Sequence, residues 1–100
     1  MSLSRREEIL EVLRRSLSDL ASRYDVASLR LFGSAARGED TEHSDIDLVV
    51  SFRSAPTFDR YMDLLYALED LLGAPIDLVT TGSLKPRLEE RVHREGVLVA

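Results

Sequence analysis

The sequence predicts a small α/β domain in which helices pack on a mixed β-sheet. Two patterns carry this expectation. Segments with apolar residues three and four apart take turns with shorter segments that alternate every second residue. Glycines at positions 33, 73 and 96 fall where one pattern gives way to the next. At 100 residues the chain has room for one core, so residues 1–100 are read as a single domain.

The elements follow in order. Ser4 to Tyr24 reads as a helix, with Ile9, Leu13, Leu17, Leu20 and Tyr24 on one stripe. Val26 to Phe32 reads as a strand with Leu29 and Leu31 on one face and Ser28 and Arg30 on the other. Gly33 ends it, and Ala35 to Gly38 has the length of one helical turn. Glu39 to Ser44 is polar and reads as a loop. Asp45 to Phe52 is a second strand, with Asp45, Asp47 and Val49 facing one side and Ile46, Leu48 and Val50 the other. Phe58 to Leu72 is a helix with Tyr61, Leu65, Leu68 and Leu72 as its stripe, stopped by Gly73. Pro75 to Thr80 is a third strand. Leu84 to Glu95 is a last helix with Pro86 in its first turn, Leu88 and Val92 turned inward and Gly96 as its stop. Val97 to Val99 adds a final strand.

Composition narrows the function classes. The chain is 44% hydrophobic and 31% charged, an ordinary globular balance, and its net charge is −5. Stand-alone nucleic-acid binding is not expected, because phosphate neutralisation calls for a basic surface. An acidic balance suits a domain that holds divalent cations or docks on a basic partner. There is no cysteine, hence no disulfide and no thiolate metal site. The charged stretch Met1 to Arg15 has no leader-like character, and no apolar run is long enough for a bilayer. A soluble, cytoplasmic protein with no membrane association is the expectation.

Three features point to chemistry: Gly33-Ser34 directly after a strand, Asp45-Ile46-Asp47 at the start of the next, and Asp77 alone among apolar residues in a third. Each by itself also fits a structural role: a strand-to-helix turn capped by Ser34, a solvated strand start, an edge strand with one wet face. Together they say more. Residues two apart on a strand share a face, so Asp45 and Asp47 crowd each other unless a cation intervenes or a proton is bound. Glycine allows close approach of a phosphate, and a following helical turn directs N–H groups at it. Ser34, at the end of strand one, meets Asp45, at the start of strand two, only if these strands are antiparallel. Strands two and three, joined through a helix, are expected to be parallel through a right-handed crossover. That topology gathers all three carboxylates at one end of the sheet. There they can hold two cations roughly 3.5–4 Å apart, the arrangement that clamps an in-line displacement at phosphorus.

The wording Leu31-Phe32-Gly33-Ser34-Ala35-Ala36-Arg37-Gly38, followed by Ser44-Asp45-Ile46-Asp47-Leu48 and the later lone Asp77, resembles the DNA polymerase beta nucleotidyltransferase superfamily, and closely its minimal (MNT) branch. The resemblance covers nearly the whole chain. It implies a polymerase beta palm-like nucleotidyltransferase fold. It implies that Gly33 and Ser34 bind the triphosphate of ATP, with Arg37 near the phosphates, although a solvated arginine fits that position as well. It implies that Asp45 and Asp47 hold two Mg²⁺ ions, with Mn²⁺ as the alternative. Asp77 then ligates the catalytic ion and helps deprotonate an acceptor hydroxyl. MNT domains are often encoded beside a HEPN-domain ribonuclease toxin and act as its antitoxin, with AMP transferred to a toxin tyrosine.

The chain has no room for an acceptor-gripping domain, so the simplest acceptor is a partner protein, expected to be a HEPN-type toxin encoded nearby. Two other readings stand beside this one. The domain neutralises its partner by occlusion with an idle site, or it is the catalytic subunit of a small-molecule nucleotidyltransferase completed in trans. His43, in the polar loop, is read as exposed though within reach of a phosphate. His93 is read as lying on the solvent face of the last helix. Lys85, near the start of that helix, is left open.

Overall fold

Ser4 opens the chain's first helix by accepting the Glu7 N–H at 3.2 Å, and Glu7 and Glu8 sit in the first turn, where the helix dipole favours negative charge. The computed structural model describes residues 4–38, 45–83 and 85–99. The elements are α1 (Arg5–Tyr24), β1 (Val26–Phe32), α2 (Gly33–Arg37), β2 (Ile46–Phe52), α3 (Phe58–Leu72), β3 (Ile76–Thr80), a 3₁₀ turn (Thr81–Ser83), α4 (Pro86–Glu95) and β4 (Val97–Leu98). This is the expected order, with the 3₁₀ turn added. The loop expected over 39–44, with His43, lies outside the described residues, as does Leu84.

The four strands form one mixed sheet in the order β3-β2-β1-β4. β1 and β2 are antiparallel and β2 and β3 parallel, as the site argument required; β4 runs antiparallel on the far side of β1. One sheet face carries Leu29, Leu31, Ile46, Leu48, Val50, Ile76 and Leu78, all buried in the main core. α1 covers it with Ile9, Leu10, Leu13 and Leu20, and α3 with Leu64 and Leu68. Leu10 and Leu64 widen the two expected stripes, whose remaining members Leu17, Tyr24, Tyr61, Leu65 and Leu72 are partly buried at the core's margin. A helix lying on a sheet buries an arc of its surface rather than a single line, which draws in the neighbouring position.

Short polar contacts fix the ends of these elements. Thr57 caps α3 by accepting the Arg60 N–H at 3.1 Å, and Gly73 closes it at φ 63°, a left-handed conformation that suits glycine. α1 ends at Asp25, itself left-handed at φ 60°. The Asp25 carboxylate accepts from the Ser54 hydroxyl at 2.6 Å and the Ser54 N–H at 3.2 Å. The Tyr61 hydroxyl donates to the Leu78 carbonyl, tying α3 to the edge strand β3.

α4 departs from expectation. Val92 is its buried residue, while Leu88 is 41% exposed rather than inward. Of these two positions, only Val92 borders Val49 on the other sheet face.

Candidate active site

The second sheet face is the more open of the two: Asp77 is exposed, Val49 is buried and its other residues are half-buried. It presents Ser28, Arg30 and Phe32 from β1, Asp47, Val49 and Ser51 from β2, and Asp77 and Val79 from β3, by the two-residue alternation of each strand. Asp47 stands opposite Phe32 on one side and level with Asp77 on the other. The Ile46 N–H donates to the Pro75 carbonyl at 3.0 Å, which sets the starts of β2 and β3 at the same height. Parallel pairing therefore does what the sequence required of it: two carboxylates from distant segments face one another at one end of the sheet.

Asp47 is crowded from both directions. Burial is the main cause that holds its carboxyl above the usual carboxylate range. The charge of Asp77, a hydrogen-bonding approach to Asp77 and the charge of Asp45 follow, while Arg37 pulls the other way. On the β1 side Asp47 lies against Gly33. A Cβ on Gly33 would overlap Asp47 Oδ2 and stand 3.1 Å from its Cγ, and Gly33 itself is at φ 73°. Only glycine meets both conditions. Gly33 is thus the first residue of α2, not merely the end of β1, and Ser34 follows half-buried in the same first turn. The N–H groups of that turn have no partner within the helix. The turn begins beside the Asp47 carboxylate.

The expected site residues therefore sort as follows. Gly33, Ser34, Asp47 and Asp77 meet at one end of the sheet. Arg37 ends α2 near enough for its charge to act on Asp47. Asp45 lies exposed just before β2 and adds its field at longer range. Among the described residues no three acidic or imidazole groups are gathered closely enough to enclose an ion by themselves. The close unit is the Asp47–Asp77 pair. Two facing carboxylates, one partly desolvated, are the chemistry a hard cation relieves. Mg²⁺ in particular is held by one or two carboxylates and leaves its other positions to water and substrate phosphate. The residues present fit such an ion. Lys85 begins α4, exposed and without a side-chain cap bond. No described helix is long and apolar enough to cross a membrane.

Comparison with known proteins gives the family. A family model described as Nucleotidyltransferase domain matches residues 10–99. Over 99 residues the chain is 38% identical to the protein adenylyltransferase MntA of Thermococcus cleftensis, spanning 99% of this chain and 100% of that one. A structure solved as a candidate minimal nucleotidyltransferase superposes with a TM-score of 0.79 at 42% identity, over 90% of this chain and 92% of the other. An MNT antitoxin in complex with the tri-AMPylated HEPN toxin of Shewanella oneidensis superposes with a TM-score of 0.66 over 91% of this chain and 71% of the other. At 20% identity that likeness is one of fold.

Proposed function

Because the chain belongs to the nucleotidyltransferase domain family, we propose that it is a metal-dependent protein adenylyltransferase that transfers AMP from ATP to a hydroxyl side chain of a HEPN-type partner and acts as its antitoxin. The observation that carries this reading is the level pairing of Asp47 with Asp77, hard against Gly33 at the start of α2. The names of the relatives, a protein adenylyltransferase and an MNT antitoxin bound to an AMPylated HEPN toxin, support the choice of donor and partner.

The chain's own residues divide the work. Gly33 and Ser34 offer the phosphate chain a close, donor-lined approach, and Arg37 adds positive charge beside it. Asp45, Asp47 and Asp77 would hold the divalent cations. Bound there, Mg²⁺ would supply electrostatic stabilisation of the charge that develops at phosphorus. Asp77 stands on the side of Asp47 away from Gly33 and takes the proton of the incoming hydroxyl. The acceptor oxygen forms its bond to the α-phosphorus, the bond from that phosphorus to the bridging oxygen breaks, and pyrophosphate leaves toward α2.

The test is to incubate the domain with its partner, ATP and Mg²⁺ and to weigh the partner by intact mass spectrometry. The expected result is a gain of AMP that disappears with Asp45→Ala or Asp77→Ala. An unchanged partner mass, with toxicity still suppressed by the triple-aspartate variant, would instead establish neutralisation by occlusion.

A further inference from the structure

Farther along the open face, away from the carboxylates, α4 roofs a second recess. Val49 on the sheet and Val92 on α4 border it, both nearly fully buried at 4% and 3% exposure. The recess has a volume of about 200 Å³. Its floor is polar, with Ser28 and Ser51 directly opposite each other across the β1–β2 pairing and Arg30 next along β1, opposite Val49. Its roof carries Glu89 and His93, one helical turn apart and so on the same side of α4. Arg30 is half-buried, and among the described residues no hydrogen bond or ion pair engages its guanidinium. A charge drawn partly out of water without a partner is costly, and a ligand that covers it recovers that cost.

The direction from the carboxylates to this recess is the one a nucleotide would need. Gly33 and the start of α2 lie on the β1 side of Asp47, and Asp77 lies on the β3 side. In-line displacement places the leaving pyrophosphate and the attacking hydroxyl on opposite sides of the phosphorus. With pyrophosphate toward α2 and the acceptor toward Asp77, both directions across the strands are occupied. The nucleoside leaves the α-phosphorus at an angle to that line, and the direction along the strands remains for it. Val49 lies two residues beyond Asp47 on the same face, ~7 Å along β2. That is the order of the step from an α-phosphate to its sugar and base.

We infer that the recess beneath α4 is the nucleoside pocket, in which a purine base lies against the Arg30 guanidinium and donates an N–H to Glu89. This rests on the reading of the Asp47–Asp77 pair as the phosphoryl-transfer site. A guanidinium plane stacks on the face of any base. The carboxylate of Glu89 only accepts hydrogen bonds, so it favours a base with an exocyclic amino group. The serine hydroxyls of the floor serve either polarity.

Calorimetric titration of the intact chain with ATP and with inorganic triphosphate, both in Mg²⁺, tests the inference, because triphosphate has the phosphates without the nucleoside. The expected result is ATP bound at least about tenfold more tightly than triphosphate, the difference one stacked base contributes. Arg30→Ala should remove that difference and leave triphosphate binding unchanged. Glu89→Gln should reduce the preference for ATP over UTP. Equal binding of ATP and triphosphate by the wild type, or an equal loss of both in folded Arg30→Ala, overturns the pocket while the phosphoryl-transfer reading stands. Absence of binding by either ligand, with Asp47→Asn making no difference, removes that reading and the pocket together. Should Arg30→Ala not fold, Glu89→Ala and His93→Ala alter exposed positions on α4. Undiminished ATP affinity in both overturns the pocket.

Discussion

Gly33 and Asp47 touch so closely across the β1–β2 pairing that the backbone of one is the seat for the carboxylate of the other: a methyl group on Gly33 would occupy the position of Asp47 Oδ2. The left-handed φ of 73° and the close approach are two separate demands on the same residue. Gly33→Ala should therefore cost about 1–2 kcal/mol for the backbone alone, with more from displacing Asp47. Its effect on Mg²⁺-dependent ATP binding should exceed its effect on folding. Paired denaturation and calorimetry check this. A variant that unfolds more easily yet binds ATP normally would show that the contact serves only the turn.

Asp47 is partly desolvated and faces Asp77, so without a cation it works against folding. At neutral pH the metal-free Asp47→Asn variant should be as stable as wild type or more so, while Mg²⁺-dependent nucleotide binding disappears. Thermal denaturation in chelator, followed by titration with ATP and Mg²⁺, separates the two effects. A marked fall in melting temperature in chelator would make Asp47 a structural hydrogen-bond acceptor at the start of β2.

The Asp25–Ser54 link gives a pH dependence of definite sign. Two hydrogen bonds from Ser54, with the charges of Arg60 and Arg53, hold the Asp25 carboxyl below its ordinary value of 3.8. A carboxyl whose folded value is depressed stabilises the fold above its unfolded value and loses that contribution as pH falls through the folded one. Wild type should be more stable than Asp25→Asn at pH 7, and the gap should close as the pH drops below about 4. Asparagine tolerates the left-handed backbone, so the comparison isolates the carboxylate. Chemical denaturation midpoints at several pH values provide the measurement, and a gap independent of pH would exclude the linkage.

Tyr61→Phe removes the hydroxyl that donates to the Leu78 carbonyl on edge strand β3. The ring's packing is retained, so the cost should be that of one hydrogen bond, about 0.5–1.5 kcal/mol. Urea unfolding measures it. Because the contact holds β3 to α3 and lies on the core side of Asp77, Mg²⁺-dependent ATP binding should change little. A large loss of ATP binding at unchanged stability would instead tie Tyr61 to the position of Asp77.

The sequence by itself determined the element order and, through two-residue alternation, which strand residues share a face. Asp47 with Val49, Arg30 with Ser28 and Asp77 with Val79 follow from local geometry alone, since a strand leaves no other choice. The pairing of β1, β2 and β3 followed from the sequence on one premise, that Ser34 and the three aspartates serve a single site, and the strands do pair in that way. The tertiary structure decided what alternation and spacing do not encode. It made Asp47 and Asp77 the close pair with Asp45 at longer range, since strand pairing sets the distance across the sheet while Asp45 stands outside the ladder. It turned Leu88 outward and placed Glu89 and His93 over Arg30, residues some sixty positions earlier. His93, read from sequence as a solvent-facing residue, borders that recess while remaining exposed. The amphipathic period of α4 marks one face as apolar, but which part of that face meets protein depends on where the helix crosses the sheet. That crossing is set by packing between distant segments, whose contacts leave no periodic trace in either one.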